Sequence, residues 1–127
     1  MNIEDIYKKF QECKGVATDT RKEVEGKIFF CLSGDNFNGN EFAQLASEKG
    51  AKYIVIDNPK YQLSNTILVE NVLATLQELA TFHRKKMGTL IFALTGSNGK
   101  TTTKELIFSV LNQSFNTQKT EGNLNNH

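Results

Sequence analysis

The run Leu90-Ile-Phe-Ala-Leu-Thr-Gly-Ser-Asn-Gly-Lys-Thr-Thr-Thr-Lys-Glu105 is the most informative stretch of this chain. An apolar run is followed by a turn with two glycines, Gly96 and Gly99, and then by Lys100 and Thr101. The glycines allow successive backbone N–H groups to point at one anion, and a helix that begins near Lys100 adds its unpaired amides and positive dipole end. The stretch therefore predicts a strand, a phosphate-binding loop and a helix, in that order.

The residues of this loop have distinct expected roles. Lys100 is predicted to act catalytically as a mobile charge over the terminal phosphates, and the Thr101 hydroxyl is predicted to ligate Mg²⁺. The expected ligand is MgATP, and the predicted cofactor-binding residues are Gly96, Ser97, Asn98, Gly99, Lys100, Thr101 and Thr102. The general pattern has a glycine where this chain has Leu94, so the match is to a shortened variant. An ordinary junction between a strand and a helix is the alternative.

Composition and charge narrow the class of protein. A chain of 127 residues with 39% hydrophobic content suits one ordinary domain or two small ones. The net charge of +1 predicts no nucleic-acid partner. No signal peptide and no long apolar run occur, so we expect a cytoplasmic protein without membrane insertion. Cys13 and Cys31 lack metal-binding or redox spacing, which predicts free, buried or half-buried thiols.

The pattern along the chain predicts an α/β protein with two parts. Strands are expected at 16–18, 27–32, 51–56 and 67–69, and helices are expected after Asn2, from Phe42 to Gly50, and after Asn71. The helix after Asn71 is predicted to turn one side inward, with Val72, Leu76, Leu79, Ala80 and His83 on it. These elements form a predicted small domain over residues 1–86.

Residues 87–127 are predicted to begin a second, parallel-sheet domain of the P-loop type. Strands are expected at 89–95 and 115–118, and the helix between them is expected to bury Leu106, Ile107, Val110 and Leu111. Two strands and a helix cannot cover both faces of a parallel sheet. We therefore expect this domain to be truncated and the chain to be a fragment of a longer protein.

Three stretches of the sequence resemble the Mur ligase family. They are Thr18-Asp-Thr-Arg21 leading through Gly26 to Phe29-Phe-Cys-Leu32; Gly34-Asp-Asn-Phe-Asn-Gly-Asn-Glu-Phe42; and Thr95-Gly-Ser-Asn-Gly-Lys-Thr-Thr-Thr103 followed by Gly122-Asn-Leu-Asn-Asn126. The resemblance covers the whole chain. It implies a first domain that holds the UDP end of a muramyl-peptide substrate, followed by the start of the central ATP-binding domain.

The resemblance also implies a reaction in peptidoglycan precursor synthesis. The expected activity is that of an ATP-dependent carboxylate-amine ligase that adds D-alanyl-D-alanine to UDP-N-acetylmuramoyl-tripeptide through an acyl phosphate and forms ADP and phosphate. We expect a monomer, and a fragment that is inactive by itself. One alternative is the family member that adds the third amino acid of the peptide. Another is a non-catalytic nucleotide-binding module.

Ten residues are implied as substrate-binding by the same resemblance. They lie in a turn that resembles the family's uridine-contacting segment, in the neighbouring loop, and in a loop facing the substrate and phosphates: Thr18, Asp19, Thr20, Arg21, Asn38, Gly39, Asn40, Asn123, Asn125 and Asn126. Plain polar turns are the alternative for all three segments. His83 is expected to be a packed histidine rather than a ligand.

Overall fold

The computed structural model describes residues 1–96 and 99–121. Its backbone contacts divide the chain into two compact units, Met1–Thr89 and Leu90–His127. The boundary between these units falls a few residues after the predicted one at 86/87. The assignment of the two units as functional domains stays a prediction.

The first unit is built on a four-stranded sheet in which all neighbouring strands are parallel. The strands are β1 (Val16–Ala17), β2 (Ile28–Phe30), β3 (Tyr53–Ile56) and β4 (Thr66–Leu68). Their order across the sheet is the same as their order along the chain. Ala17, Phe29, Ile54 and Thr66 form one row across all of them. The four strands predicted for this part are confirmed, although β1, β2 and β3 are shorter than expected and β4 begins one residue earlier.

Three helices accompany this sheet. They are α1 (Ile3–Gln11), α2 (Ala43–Glu48), which continues a 3₁₀ turn at Gly39–Phe42, and α3 (Val72–Met87); a second 3₁₀ turn lies at Pro59–Tyr61. Asn2 caps α1 by accepting a hydrogen bond from the Asp5 N–H at 2.9 Å, as predicted. Asn71 caps α3 in the same way, and Gly88 ends it in the left-handed conformation.

The core of the first unit lies on both faces of the sheet. One face carries Phe29, Ile54 and Ile56 and is covered by Ala43 and Ala46 of α2. The other face carries Ile28, Phe30, Val55 and Ile67 and is covered by Ile6 and Tyr7 of α1 and by Val72 and Leu79 of α3. Successive strand residues point to opposite faces, so a buried parallel sheet needs apolar side chains at every position. The run Ile28–Phe30 meets this requirement.

The apolar side of α3 differs from the prediction at one position. Val72 and Leu79 are buried and Leu76 and His83 are half-buried, but Ala80 is exposed. The missed contributor is Phe82, whose ring centroid lies 5.0 Å from that of Tyr7. Ala80 falls at the border of the helical stripe, whereas Phe82 turns toward α1. The prediction that His83 is a packed histidine is confirmed, since its Nδ1 lies 3.2 Å from the Tyr7 hydroxyl.

The second unit contains one regular element in its described part, residues 90–96 and 99–121. This is the helix α4 (Lys100–Leu111), which begins where it was predicted. The strands predicted at 89–95 and 115–118 are absent there, because a strand exists only through hydrogen bonds to a neighbour and no described segment lies alongside. Leu90, the first apolar residue of the predicted strand that precedes the glycine-bracketed loop, is accordingly 79% exposed.

The apolar side of α4 was also predicted to be inward. Ile107 and Leu111 are half-buried, but Leu106 and Val110 are exposed. The predicted burial depended on a sheet for the helix to cover, and the described residues of this unit form none. None of the helices in the described ranges combines the length and apolar character that a membrane crossing requires.

Candidate functional site

The carboxyl ends of the parallel strands in the first unit bring two predicted segments to one edge of the sheet. The turn Thr18–Arg21 follows β1, and the loop that contains Asn38, Gly39 and Asn40 follows β2. Between them is a cleft of about 520 Å³. Its lining is Thr18, Asp19, Thr20, Arg21, Phe29, Phe30, Cys31, Leu32, Phe37, Gly39 and Phe42. This edge is where parallel α/β sheets usually bind ligands.

The turn after β1 is organised by the pair Asp19 and Arg21. Oδ1 of Asp19 accepts the Arg21 backbone N–H at 2.9 Å, and the carboxylate binds the guanidinium through Nε at 2.9 Å and Nη2 at 2.8 Å. The hydrogen bonds from the Arg21 side chain lower the pKa of Asp19 to about 2. Asp19 is therefore ionised at neutral pH, and it holds an otherwise exposed guanidinium at the mouth of the cleft.

Thr20 sits differently from its neighbours in this turn. Its side chain is buried, with 6% of the residue exposed, and its backbone carbonyl accepts a hydrogen bond from the Lys49 ammonium. Lys49 follows directly after α2, so it ties the turn to a helix on one face of the sheet. Lys49 was not predicted to take part in this site, since nothing in the local spacing connects it with a turn 29 residues earlier.

Gly39 brings the second wall of the cleft against the end of β2. A Cβ atom at this position would lie 2.0 Å from the carbonyl oxygen of Leu32. Its own N–H donates to Ser33 Oγ at 2.8 Å. The close approach, rather than an unusual backbone angle, therefore requires glycine here.

Asn40 is buried, with 3% of the residue exposed, and its amide is fully engaged within the protein. Its two N–H groups donate to Asn38 Oδ1 at 2.9 Å and to Asp57 Oδ1 at 2.8 Å, and its oxygen accepts the Asp57 backbone N–H at 3.1 Å. Asn38 also donates to the Tyr61 hydroxyl at 3.3 Å. These contacts give Asn40 a structural role in the loop, and its direct contact with a substrate stays a prediction.

Asp57 follows directly after the predicted strand at 51–56, and its sequence position alone indicates no further role. In the structure its two carboxylate oxygens accept from the Asn40 amide and from the Val72 N–H, the latter at 3.2 Å. It therefore joins the end of β3 to the cleft loop and to the first turn of α3. The sequence signal was weak, because turns of the type Asp57-Asn58-Pro59 commonly end strands without any further role.

Both cysteines are free, as predicted. Cys31 is buried at the inner end of the cleft, and burial, followed by the nearby charge of Asp57, raises the pKa of its thiol to about 12. Cys13 is half-buried, and its thiol donates to the Lys9 carbonyl at 3.1 Å. Neither thiol has the environment of a reactive nucleophile.

The glycine-bracketed loop of the second unit can be described in part. Gly96 and Gly99 have φ angles of 150° and 72°, and a Cβ at either position would face open space. Gly99 is the N-cap of α4 and offers no side-chain oxygen to the first amides of the helix. Lys100 is half-buried, while Thr101 and Thr102 are exposed. The predicted site residues Ser97, Asn98, Asn123, Asn125 and Asn126 lie outside the described residues.

Metal binding can be considered only for residues 1–96 and 99–121. Over these ranges no three His, Cys, Asp or Glu side chains come together as a metal-holding group. The exposed Thr101 hydroxyl next to Lys100 fits the chemistry of a Mg²⁺ ligand, since Mg²⁺ is commonly held by one or two protein oxygens together with phosphate oxygens. Its role as a ligand remains a prediction.

The first unit is an α/β domain whose parallel sheet carries polar loops at its strand ends, and the second unit contains a Gly-Lys-Thr sequence at the start of a helix. The Mur ligase middle domain family matches residues 94–127. The chain is similar to Mur ligases over most of its length, as its sequence motifs predicted, and spans about a quarter of the length of the curated relatives it matches.

Three relatives illustrate this similarity. The UDP-N-acetylmuramoyl-tripeptide--D-alanyl-D-alanine ligase of Bacillus subtilis is 43% identical over 117 residues, which are 89% of this chain and 25% of that protein. The enzyme of the same name from Escherichia coli is 38% identical over 111 residues, which are 87% and 25% of the two chains. The crystal structure of the MurF ligase from Thermotoga maritima in complex with ADP matches with a TM-score of 0.70 and 33% identity, over 87% of this chain and 26% of that one.

Proposed function

We propose that this chain supplies the substrate-binding unit and the start of the ATP site of a ligase that joins D-alanyl-D-alanine to UDP-N-acetylmuramoyl-tripeptide. The observation that carries the proposal is the 43% identity to a relative of that name over 89% of the chain. The reaction is activation of the substrate carboxylate by the γ-phosphoryl group of ATP, attack by the amine of the dipeptide, and release of ADP and phosphate. The chain alone is proposed to be inactive, because phosphoryl transfer depends on a complete set of positioned charges.

The cleft of the first unit is proposed to bind the UDP end of the substrate. Uracil presents an imide N–H between two carbonyls, and the turn Thr18–Arg21 offers hydroxyl, carboxylate and backbone partners of matching size. The Arg21 guanidinium is paired with Asp19 through Nε and Nη2, and its remaining N–H groups are proposed to bind a diphosphate oxygen. Gly39 lines the opposite wall, and Asn38, its neighbour in the same loop, is proposed to contact the substrate. Asn123, Asn125 and Asn126 of the second unit are proposed to contact the part of the substrate nearest the phosphates of ATP.

The loop at 96–102 is proposed to bind the phosphates of ATP. The left-handed Gly99 and the first turn of α4, which lacks a side-chain cap, support an anion site there. The ADP in the Thermotoga maritima relative supports an adenine nucleotide as the ligand. Lys100 would contact the terminal phosphates and Thr101 would hold Mg²⁺. The ion, when bound, supplies positive charge that offsets the charge of the phosphates.

The decisive experiment is an assay of a protein that carries this sequence and has the full length of the relatives. With UDP-N-acetylmuramoyl-tripeptide, ATP and D-alanyl-D-alanine it should form the amide and release ADP and phosphate. Release of AMP and pyrophosphate would refute the acyl-phosphate route. Product formation with a free amino acid on the corresponding dipeptide substrate would instead favour the tripeptide-forming alternative.

Lys100→Ala in that longer protein is expected to reduce turnover by at least about a hundredfold, because a positioned charge on the transferring phosphoryl group is lost. The measurement is the steady-state release of phosphate. Lys85→Ala, which removes an exposed lysine near the end of α3, is the matched control and should leave the rate unchanged. Full activity of the Lys100 variant would remove this residue from the mechanism.

We also propose a cytoplasmic location, because the proposed cosubstrate ATP is an intracellular metabolite. The protein is proposed to act as a monomer, which the elution volume of the longer protein in size-exclusion chromatography tests.

A further inference from the structure

The wall of the cleft that contains Gly39 is hydrogen-bonded, on the side away from the cleft, to the carboxylate of Asp57 through Asn40. Asp57 lies after β3 and is not part of the cleft lining. One of its oxygens accepts from Asn40 Nδ2 at 2.8 Å, while its backbone N–H donates to Asn40 Oδ1 at 3.1 Å. The two residues are thus joined by a reciprocal pair of hydrogen bonds, which fixes both distance and orientation.

Asn40 passes this constraint on to the cleft. Its second N–H donates to Asn38 Oδ1, the same atom that accepts the backbone N–H of Asn40 at 3.1 Å. Gly39, which lines the cleft, lies between these two residues and is pressed against Leu32. Any movement of the buried Asn40 amide therefore moves the backbone of the cleft wall.

The other oxygen of Asp57 reaches a third element. It accepts the Val72 N–H at 3.2 Å, one of the first-turn amides of α3 that have no partner inside the helix. The negative charge is also favourable at this positive end of the helix. Asp57 therefore locks the cleft loop to α3, and α3 is itself anchored in the core by Val72 and Leu79.

The geometry points to Asp57 as a positioning residue that sets the cleft wall for the uridine diphosphate end of the substrate without touching it. This inference rests on the proposed function, since it concerns the same cleft. A carboxylate is required because two donors, from Asn40 and from Val72, meet its two oxygens. An amide at this position offers only one acceptor oxygen and turns its NH₂ group toward one of the donors.

The test is calorimetric titration of the 127-residue chain with UDP. Asp57→Asn keeps the shape of the side chain and breaks one of its two links. We expect the Kd for UDP to rise about tenfold at a temperature where circular dichroism shows both proteins folded, since a hydrogen bond of a charged group is lost. Asp5→Asn removes the same charge from an exposed carboxylate on α1 and should leave the Kd unchanged.

The possible outcomes distinguish a failure of the positioning role of Asp57 from a failure of the proposed UDP binding by the cleft. If wild-type protein binds UDP and Asp57→Asn binds it equally well with only a lower Tm, Asp57 is structural and the inference is overturned. If the folded wild-type chain binds no UDP, the proposed role of the cleft fails first, and the positioning role falls with it.

A second measurement needs no variant. Binding of UDP to the wild-type chain should slow amide hydrogen exchange at Gly39 and, through Asp57, at Val72, which does not line the cleft. Protection that is confined to the lining residues and does not reach Val72 would overturn the inference even if Asp57→Asn failed to fold.

Discussion

At the scale of single residues, Gly39 carries the clearest steric demand in the chain. Gly39→Ala would put a methyl group 2.0 Å from a backbone carbonyl oxygen of Leu32, which cannot move without disturbing the end of β2. We expect a loss of about 3 kcal/mol in the free energy of unfolding, the upper range for overpacking, measured by urea denaturation. Gly34→Ala is the matched control.

The control differs in what its new methyl group meets. At Gly34 the nearest atom, at 2.6 Å, belongs to the exposed side chain of Phe37, which can turn away. We expect a loss of about 1 kcal/mol or less for Gly34→Ala. Equal losses for the two variants would show that the contact between Gly39 and Leu32 does not limit this loop.

Asp19 gives the protein a dependence on acidic pH. Its pKa is lowered from 3.8 to about 2 in the folded state, so its contribution to stability is complete above the unfolded value and is lost as the pH falls through the folded one. Asp19→Asn should therefore flatten the decrease of Tm between about pH 4 and pH 2. Thermal unfolding followed by circular dichroism across this range measures it.

A suitable comparison for Asp19→Asn is Asp35→Asn. Asp35 is exposed and forms no ion pair within the described part of the chain. This variant should keep the wild-type slope. An unchanged slope for Asp19→Asn as well would mean that the bidentate pair with Arg21 does not persist in solution.

Some residues of the candidate site could be predicted from the sequence and others could not. The turn Thr18–Arg21 and the loop at Asn38–Asn40 were found from short motifs, and the structure places the whole turn and Gly39 of the loop in one cleft, whereas Asn38 and Asn40 do not line it. Asp57 and Lys49 were missed because their partners lie 17 and 29 residues away in sequence. Spacing patterns report local geometry, whereas these contacts exist only once the sheet has assembled.

At the level of single elements, the side chain of Asn71 caps the amino end of α3, the longest helix of the first unit. Asn71→Ala removes the acceptor for the Ala74 N–H and should lower the free energy of unfolding by about 1 kcal/mol. Gln77→Ala, at an exposed position of the same helix, should change it by less than about 0.5 kcal/mol. Chemical denaturation compares the two, and equal effects would show that the hydrogen bond between Asn71 and the Ala74 N–H adds no measurable stability.

Strands were predicted correctly where the chain contains both the strand segment and the segments that pair with it. Each strand of the first unit was found from its apolar run, because the strands that pair with it are also in this chain. The apolar run at 90–95 is as convincing by itself, yet it forms no strand, since pairing partners are absent from the described residues of that unit. Periodicity identifies a segment that can become a strand, but only a neighbour makes it one.

At the scale of the whole molecule, the first unit contains its own core. The buried residues of both hydrophobic clusters lie between Ile6 and Leu79. A chain that ends at Thr89 is therefore expected to unfold in one cooperative transition and to bind UDP as tightly as the 127-residue chain. Differential scanning calorimetry and titration with UDP measure these properties. Absence of a transition would show that the unit needs residues beyond Thr89 to fold.

The order of the strands has a consequence for synthesis on the ribosome. Every strand pairs with the one made just before it, so each new segment adds at a growing edge and needs no rearrangement of earlier pairs. The side covered by α2 can close early, whereas α1 waits for α3, the last helix of the unit to emerge. The nascent chain thus leaves the side of the Tyr7 ring that packs against Phe82 uncovered until α3 emerges, and that interval is when a chaperone has most to shield.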